Sequence, residues 1–217
     1  MYFETPSSAD FADVHAFNRA YLRQLRSSVE QGPLSALSSD LRRRFAELDE
    51  DEVDRLASVP FLLLAFRQED DASSERREEA VVHGVAVPRV GDGASRTLAN
   101  AALAYAWQLA RRNPYALRLF CCASLRWCEQ LAEQTLVSVL DRLAEIHEPL
   151  ELRAAADYAV WYRLLTGGVD ARADVRRSFH GSVQQSLLIR PTVRRRRALR
   201  SAACRTRQPV LRLSADD

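Results

Sequence analysis

The residues best suited to chemistry are the thiols. Three of the four cysteines fall in one short segment, Cys121-Cys122-Ala-Ser-Leu-Arg-Trp-Cys128, and the fourth is Cys204. A zinc site needs ligand pairs such as Cys-x-x-Cys, whose spacing turns two thiolates toward one ion. Neighbouring cysteines do not converge in that way. The expectation is therefore buried apolar thiols in a reducing compartment, with no metal. The histidines, His15, His83, His147 and His180, are scattered. None stands with an acid and a nucleophile at the spacing of a triad. Gly91-Asp92-Gly93 reads as a turn and not as a phosphate-cradling loop. The carboxylates of Asp49 and Glu52 sit where a helix begins, and capping accounts for them. These residues point to a protein that is not an enzyme and holds no cofactor.

The second group is cationic. All 31 basic residues are Arg, so a single Arg carries little information, and the formal net charge is only +2. The distribution is more telling. Residues 69–79, EDDASSERREE, are acidic on balance. Residues 190–207 contain eight Arg and no acid: Arg190, Arg194, Arg195, Arg196, Arg197, Arg200, Arg205 and Arg207. Guanidinium forks bind phosphate oxygens and enter the minor groove. These eight residues are the candidate DNA-binding set. The same run also reads as a solvated tail, or as an arm for the acidic segment of another copy.

The elements that would position these groups are helical. Leu and Ala dominate the 47% of hydrophobic residues, and β-branched residues are sparse. The fold class expected is all-α. Residues 8–30 carry Phe11, Val14, Phe17, Tyr21, Leu22, Leu25 and Val29 at three- and four-residue steps, after a cap at Ser8 or Asp10. Short helices follow Asp40 and Asp49. Pro60 opens FLLLAFR, either a last helical turn or a buried strand. Residues 68–96 read as a linker, whose valines suit a short β segment or an extended wrap. Helix resumes from a cap at Ser95. Asn113-Pro114, Ser124 and Thr135 punctuate three further helices. Pro149 is expected to start another that runs to Gly167-Gly168. Asp170 opens the last, with Val175, Phe179, Val183 and Leu187 on one face. From Pro191 the basic arm is expected to continue it, and PVLRLSADD to be extended.

No basic start with an apolar run marks a signal peptide, and no apolar stretch nears the ~20 residues that span a bilayer. The expectation is a soluble cytoplasmic chain without membrane contact.

The two halves echo each other. Ala20-Tyr21 with Gln24-Leu25 matches Ala104-Tyr105 with Gln108-Leu109, and Asp54-Arg55-Leu56-Ala57 matches Asp141-Arg142-Leu143-Ala144. Each half closes on an apolar piece ending in Arg67 or Arg153. The organisation expected is a unit at 1–67, a linker at 68–96, a second unit at 97–168, and a C-terminal helix with a basic arm at 169–217. Two like units could pack as an internal pseudo-dimer. The pairs 40–47 with 49–58 and 124–133 with 135–145 have helix-turn-helix spacing. Their second helices, one acidic and one apolar, suit a core or a protein interface better than base reading.

The first half resembles the FlhD family, a subunit of the bacterial flagellar transcription activator. The resemblance is carried by Asn18, Tyr21-Leu22, Leu48, Val53, Leu56-Ala57 and Phe66-Arg67. It recurs more loosely through Tyr105, Leu131-Ala132, Thr135-Leu136, Leu143-Ala144 and Arg153. The family is helical and dimeric and acts with a zinc-binding partner subunit. The resemblance implies a regulator that contacts DNA within a complex containing a second, FlhC-like subunit. The chain departs from the pattern in its length, in its Arg-rich arm and in lacking the partner's Cys-x-x-Cys signature.

Overall fold

The computed structural model describes residues 4–27, 33–66, 92–146 and 149–205, with side chains through Ile189 except those of Pro33 and Asp92. The first half comprises α1 (Ser8–Ser27), a 3-10 turn (Pro33–Ala36), α2 (Ser39–Ala46), α3 (Glu50–Ala57) and strand β1 (Leu64–Phe66). The second comprises α4 (Asp92–Arg112), α5 (Pro114–Cys121), α6 (Leu125–Glu133), α7 (Leu136–Glu145) and strand β2 (Leu150–Leu152). Then come α8 (Tyr158–Thr166), a 3-10 turn (Gly167–Val169) and α9 (Ala173–Arg205). The protein is mostly helical, and among the described residues one two-stranded sheet joins the halves. In the antiparallel pair, Leu64 faces Leu152, Ala65 faces Glu151 and Phe66 faces Leu150.

The helix starts follow the side chains that satisfy orphan amides. Asp49 accepts from the Glu52 amide at 2.6 Å while the Glu52 carboxylate accepts from the Asp49 amide, a reciprocal box. Asn113 caps α5 through the amides of Tyr115 and Ala116, with Pro114 at the first helical position. Ser124 and Thr135 cap α6 and α7.

Four sequence expectations need correction. The cap of α1 is Ser7: its hydroxyl accepts from the Asp10 amide, and the Asp10 carboxylate accepts from the Ser7 amide and hydroxyl. Helix α4 begins at Asp92 and not after Ser95, so residues 92–96 belong to the helix and not to a linker. The last helix begins at Ala173, three residues after Asp170. Residues 150–157 are not helical. Leu150 and Leu152 are buried and Glu151 is exposed, the alternation of a strand, because the first half offers β1 as a pairing edge. Ala154, at φ 51°, then turns the chain into α8, which Asp157 caps. The valines of the 68–96 stretch, expected as a short β segment or an extended wrap, and the extended tail lie outside the described residues.

One apolar core runs through both halves, from Val14, Leu22, Phe45 and Leu64 to Ala106, Phe120, Trp161 and Val183. Two polar side chains thread it. Asn18, fully buried, donates to the Ala57 and Phe61 carbonyls at 3.2 and 2.9 Å and accepts from the Leu63 amide at 2.7 Å. Arg153 donates to the Leu62 and Leu64 carbonyls, and its amide donates to Leu63. Together they leave the backbone entering β1 with its polar groups satisfied.

Candidate nucleic-acid interface

The candidate interface is the C-terminal part of α9, so the first question is what fixes that helix. Its first half docks on the body. Val183 and Leu187 are buried in the core. Gln184 donates to the carbonyls of Pro60 and Leu119, one from each half, at 3.3 and 3.1 Å. The Gly167–Val169 turn lies beneath the helix. A Cβ on Gly167 would fall 2.4 Å from the Phe179 ring, so only glycine permits this approach. Arg55 of α3 donates to the Val169 carbonyl at 2.8 Å and ties the turn to the first half.

His180, buried, contacts the Gly168 carbonyl through Nε2 at 2.9 Å. A carbonyl only accepts, so Nε2 carries the proton. Burial holds its pKa below the usual 6.5, against the pull of the Gly168 bond; Arg176 and His15 add to the depression. His15, half-buried on α1, is depressed by burial too, with Arg19 adding and a bond at the Ser58 backbone opposing. Both rings stay neutral near pH 7, and they serve packing.

The helix continues without interruption from these docked residues to Arg205. Arg190, Arg194, Arg195, Arg196, Arg197, Arg200 and Arg205 all fall on it, and their side chains lie outside the described ones. Arg207 lies outside the described residues altogether. The expectation of a helical arm beyond Pro191 is met.

The other candidates take structural roles. Cys121, Cys122 and Cys128 are buried free thiols. Burial pushes them up to about 12, about 11 and about 12; Arg153 pulls the first two part of the way back, and Arg118 the third. At neutral pH such thiols supply no nucleophilic thiolate. Among the described residues, no group of three His, Cys, Asp or Glu side chains could hold a metal ion. Among them, too, no helix is long and apolar enough to cross a membrane.

Both helix pairs with helix-turn-helix spacing exist. In the first, α3 buries Val53, Leu56 and Ala57. In the second, α7 buries Val139 and Leu143. Trp161 is core, whereas Trp107 and Trp127 are half-buried; Trp107 donates to the Gln134 carbonyl at 2.8 Å.

Sequence reasoning missed the anchoring roles of Asn18, Arg153 and Arg96. Asn18 carried a signal: an amide inside an otherwise apolar stripe between Val14 and Leu22. Arg96, which donates to the Ala144 and Ile146 carbonyls at 3.1 and 3.2 Å, looked like any other surface Arg. No protein-family model, curated protein or solved structure matches this chain.

Proposed function

We propose that the chain is a FlhD-like transcription-regulator subunit: two related helical units form its body, and arginines of the C-terminal helix contact DNA phosphates. A second, FlhC-like regulator subunit would complete the assembly. The observation that carries the DNA part is the continuity of α9. Residues locked into the core and the arginines at 190–205 share one helix. From Leu187 to Arg205 it extends about 27 Å at the α-helical rise. Basic charge held on an anchored rod loses less freedom on binding phosphate than charge on a free tail.

Two features support the two-unit reading. One fixed separation relates the caps Ser38 and Ser124, the caps Asp49 and Thr135, and the buried Val53 and Val139. The same separation relates Leu64 to Leu150 and Arg67 to Arg153. At that spacing the strand register is self-symmetric, because Ala65 pairs with its own counterpart Glu151 and each outer pair swaps partners. Such reciprocity is the mark of an isologous contact. The Asp-Arg-Leu-Ala words stand one residue out of step with the caps, so the caps define the alignment better.

The test is fluorescence anisotropy of the full chain on duplex DNA over a salt series. Binding is expected to weaken steeply with salt. Replacing Arg194–Arg197 by Glu should weaken it at least about tenfold and flatten the slope. Unchanged affinity and slope would remove the arm as the DNA surface. The adaptor reading, protein contacts without DNA, would then lead. It is favoured by the exposed, stacked Tyr158 and Tyr162, with ring centroids 5.8 Å apart.

A further inference from the structure

Helix α8 carries its aromatic residues on two faces. Trp161 is buried with Val160, Leu164 and Leu165, and its indole donates to the Arg153 carbonyl at 2.9 Å. Tyr158 and Tyr162 stand half in solvent, at 50% and 52% exposure. Their rings lie nearly parallel, with centroids 5.8 Å apart and 16° between the planes. The buried face seats the helix, so the core does not account for these two rings.

The pair is held in place. The Tyr158 hydroxyl donates to the Asp40 carboxylate of α2 at 2.9 Å, and Asp157 caps the helix start through the Val160 amide. The two tyrosines are four residues apart and share one row of the helix. The next place on that row is Thr166, small and exposed, whose hydroxyl turns back to donate to the Tyr162 carbonyl at 2.7 Å. The side of Tyr162 away from Tyr158 is therefore bordered by a small side chain and not by another ring.

Charge sorts which flat group suits that side. The acid, Asp40, sits at the Tyr158 end, and its carboxylate takes up the hydroxyl. Arg163, exposed, is one position on from Tyr162, and Arg43, exposed, stands one turn along α2 from Asp40. Aromatic faces flanked by guanidiniums match a base and its neighbouring phosphates. An apolar protein surface would gain nothing from the two cations.

We propose that Tyr158 and Tyr162 form a stacking platform for an unpaired base of single-stranded nucleic acid, with Arg163 and Arg43 on the adjoining phosphates. This surface is separate from the arginine arm and does not rest on the arm's contact with duplex DNA.

The test is fluorescence anisotropy of the full chain with a short labelled oligothymidylate, an abasic strand of the same length and a duplex. Tyr162→Ala should weaken oligothymidylate binding about tenfold and leave duplex binding unchanged. Tyr162→Phe should keep the affinity, because the ring and not the hydroxyl stacks. The abasic strand should bind the native chain about tenfold more weakly than oligothymidylate, and Tyr162→Ala should not weaken it further, since ring and base act as one pair. Arg163→Ala should make the salt slope on oligothymidylate shallower by about 0.7. Equal oligothymidylate affinity for the native chain and Tyr162→Ala overturns the proposal and leaves the ladder to a protein ligand. So does a native chain that fails to bind the strand at low salt. A Tyr162→Ala loss shared by the duplex or the abasic strand also overturns it, because a general change in structure or charge acts on all three. Reversing Arg194–Arg197 acts through the arm and leaves the Tyr162 difference between strand and abasic strand in place, so the two readings fail independently.

Discussion

The two helix pairs, α2–α3 and α6–α7, follow the same order of caps and helices and differ in how they are covered. Each opens on a Ser, turns through a second cap, and leans its last helix on the long helix of its own half. In the first pair every apolar residue of α3 is buried. Helix α8 and the Gly167–Val169 turn close over it, with Tyr158 donating to Asp40 and Arg55 donating to Val169. In the second pair only two of the six apolar residues of α7 are buried. The carbonyls at the two helix ends are served differently as well: a buried amide, Asn18, for α3, and a more exposed guanidinium, Arg96, for α7. Among the described residues, a helix pair is core where a third layer covers it and surface where none does. Burial here is decided by what arrives later in the chain, not by the pair itself.

Mutations can break this contrast. The largest effect is expected at the helix-end anchors. Asn18→Ala strands two carbonyls and an amide in the core and should cost about 4 kcal/mol, against about 1 kcal/mol for Arg96→Ala, where water can replace the lost donor. Urea unfolding midpoints measure both, and equal losses would mean the two anchors are equivalent. Next, Leu56→Ala empties a fully buried site and should cost about 3 kcal/mol, while Leu140→Ala should cost about 1 kcal/mol. A large loss at Leu140 would show that α7 is covered more tightly than α3.

The smallest effect concerns pH. Both His180 and His15 titrate below 6.5 when folded. The unfolded chain therefore takes up protons first as pH falls, so stability is full above about 6.5 and declines below it. His180→Phe should flatten that decline between pH 7 and pH 5, followed by circular dichroism melts. If the acid-labile amides by hydrogen exchange lie in α6–α7 rather than in α9 and its turn, the cover on α3 is not the pH-sensitive part.

Much of the fold was legible because caps are local. Asp49, Asn113-Pro114, Ser124 and Thr135 announce their helices within three residues, and the apolar period does the rest. The strand failed for a non-local reason, the first cap for a local one. Nothing in Leu150-Glu151-Leu152 distinguishes a three-residue strand from a helix start, because its partner lies in the other half. Ser7 was passed over because Ser8 and Asp10 compete with it in sequence and only geometry separates them. At the candidate interface the arginines were visible as a run. What the sequence could not supply was the glycine seat at Gly167, which requires knowing that Phe179 passes above it.

Arg153 has a consequence for biosynthesis. Its bonds to Leu62 and Leu64 span 91 and 89 residues of chain. The carbonyls entering β1 therefore wait for their donors until well over half of the polypeptide has emerged from the ribosome. Until then the edge of β1 is a sticky nascent strand, open to wrong partners. A translational pause before codon 153 should raise the yield of aggregate, and a pause after it should not.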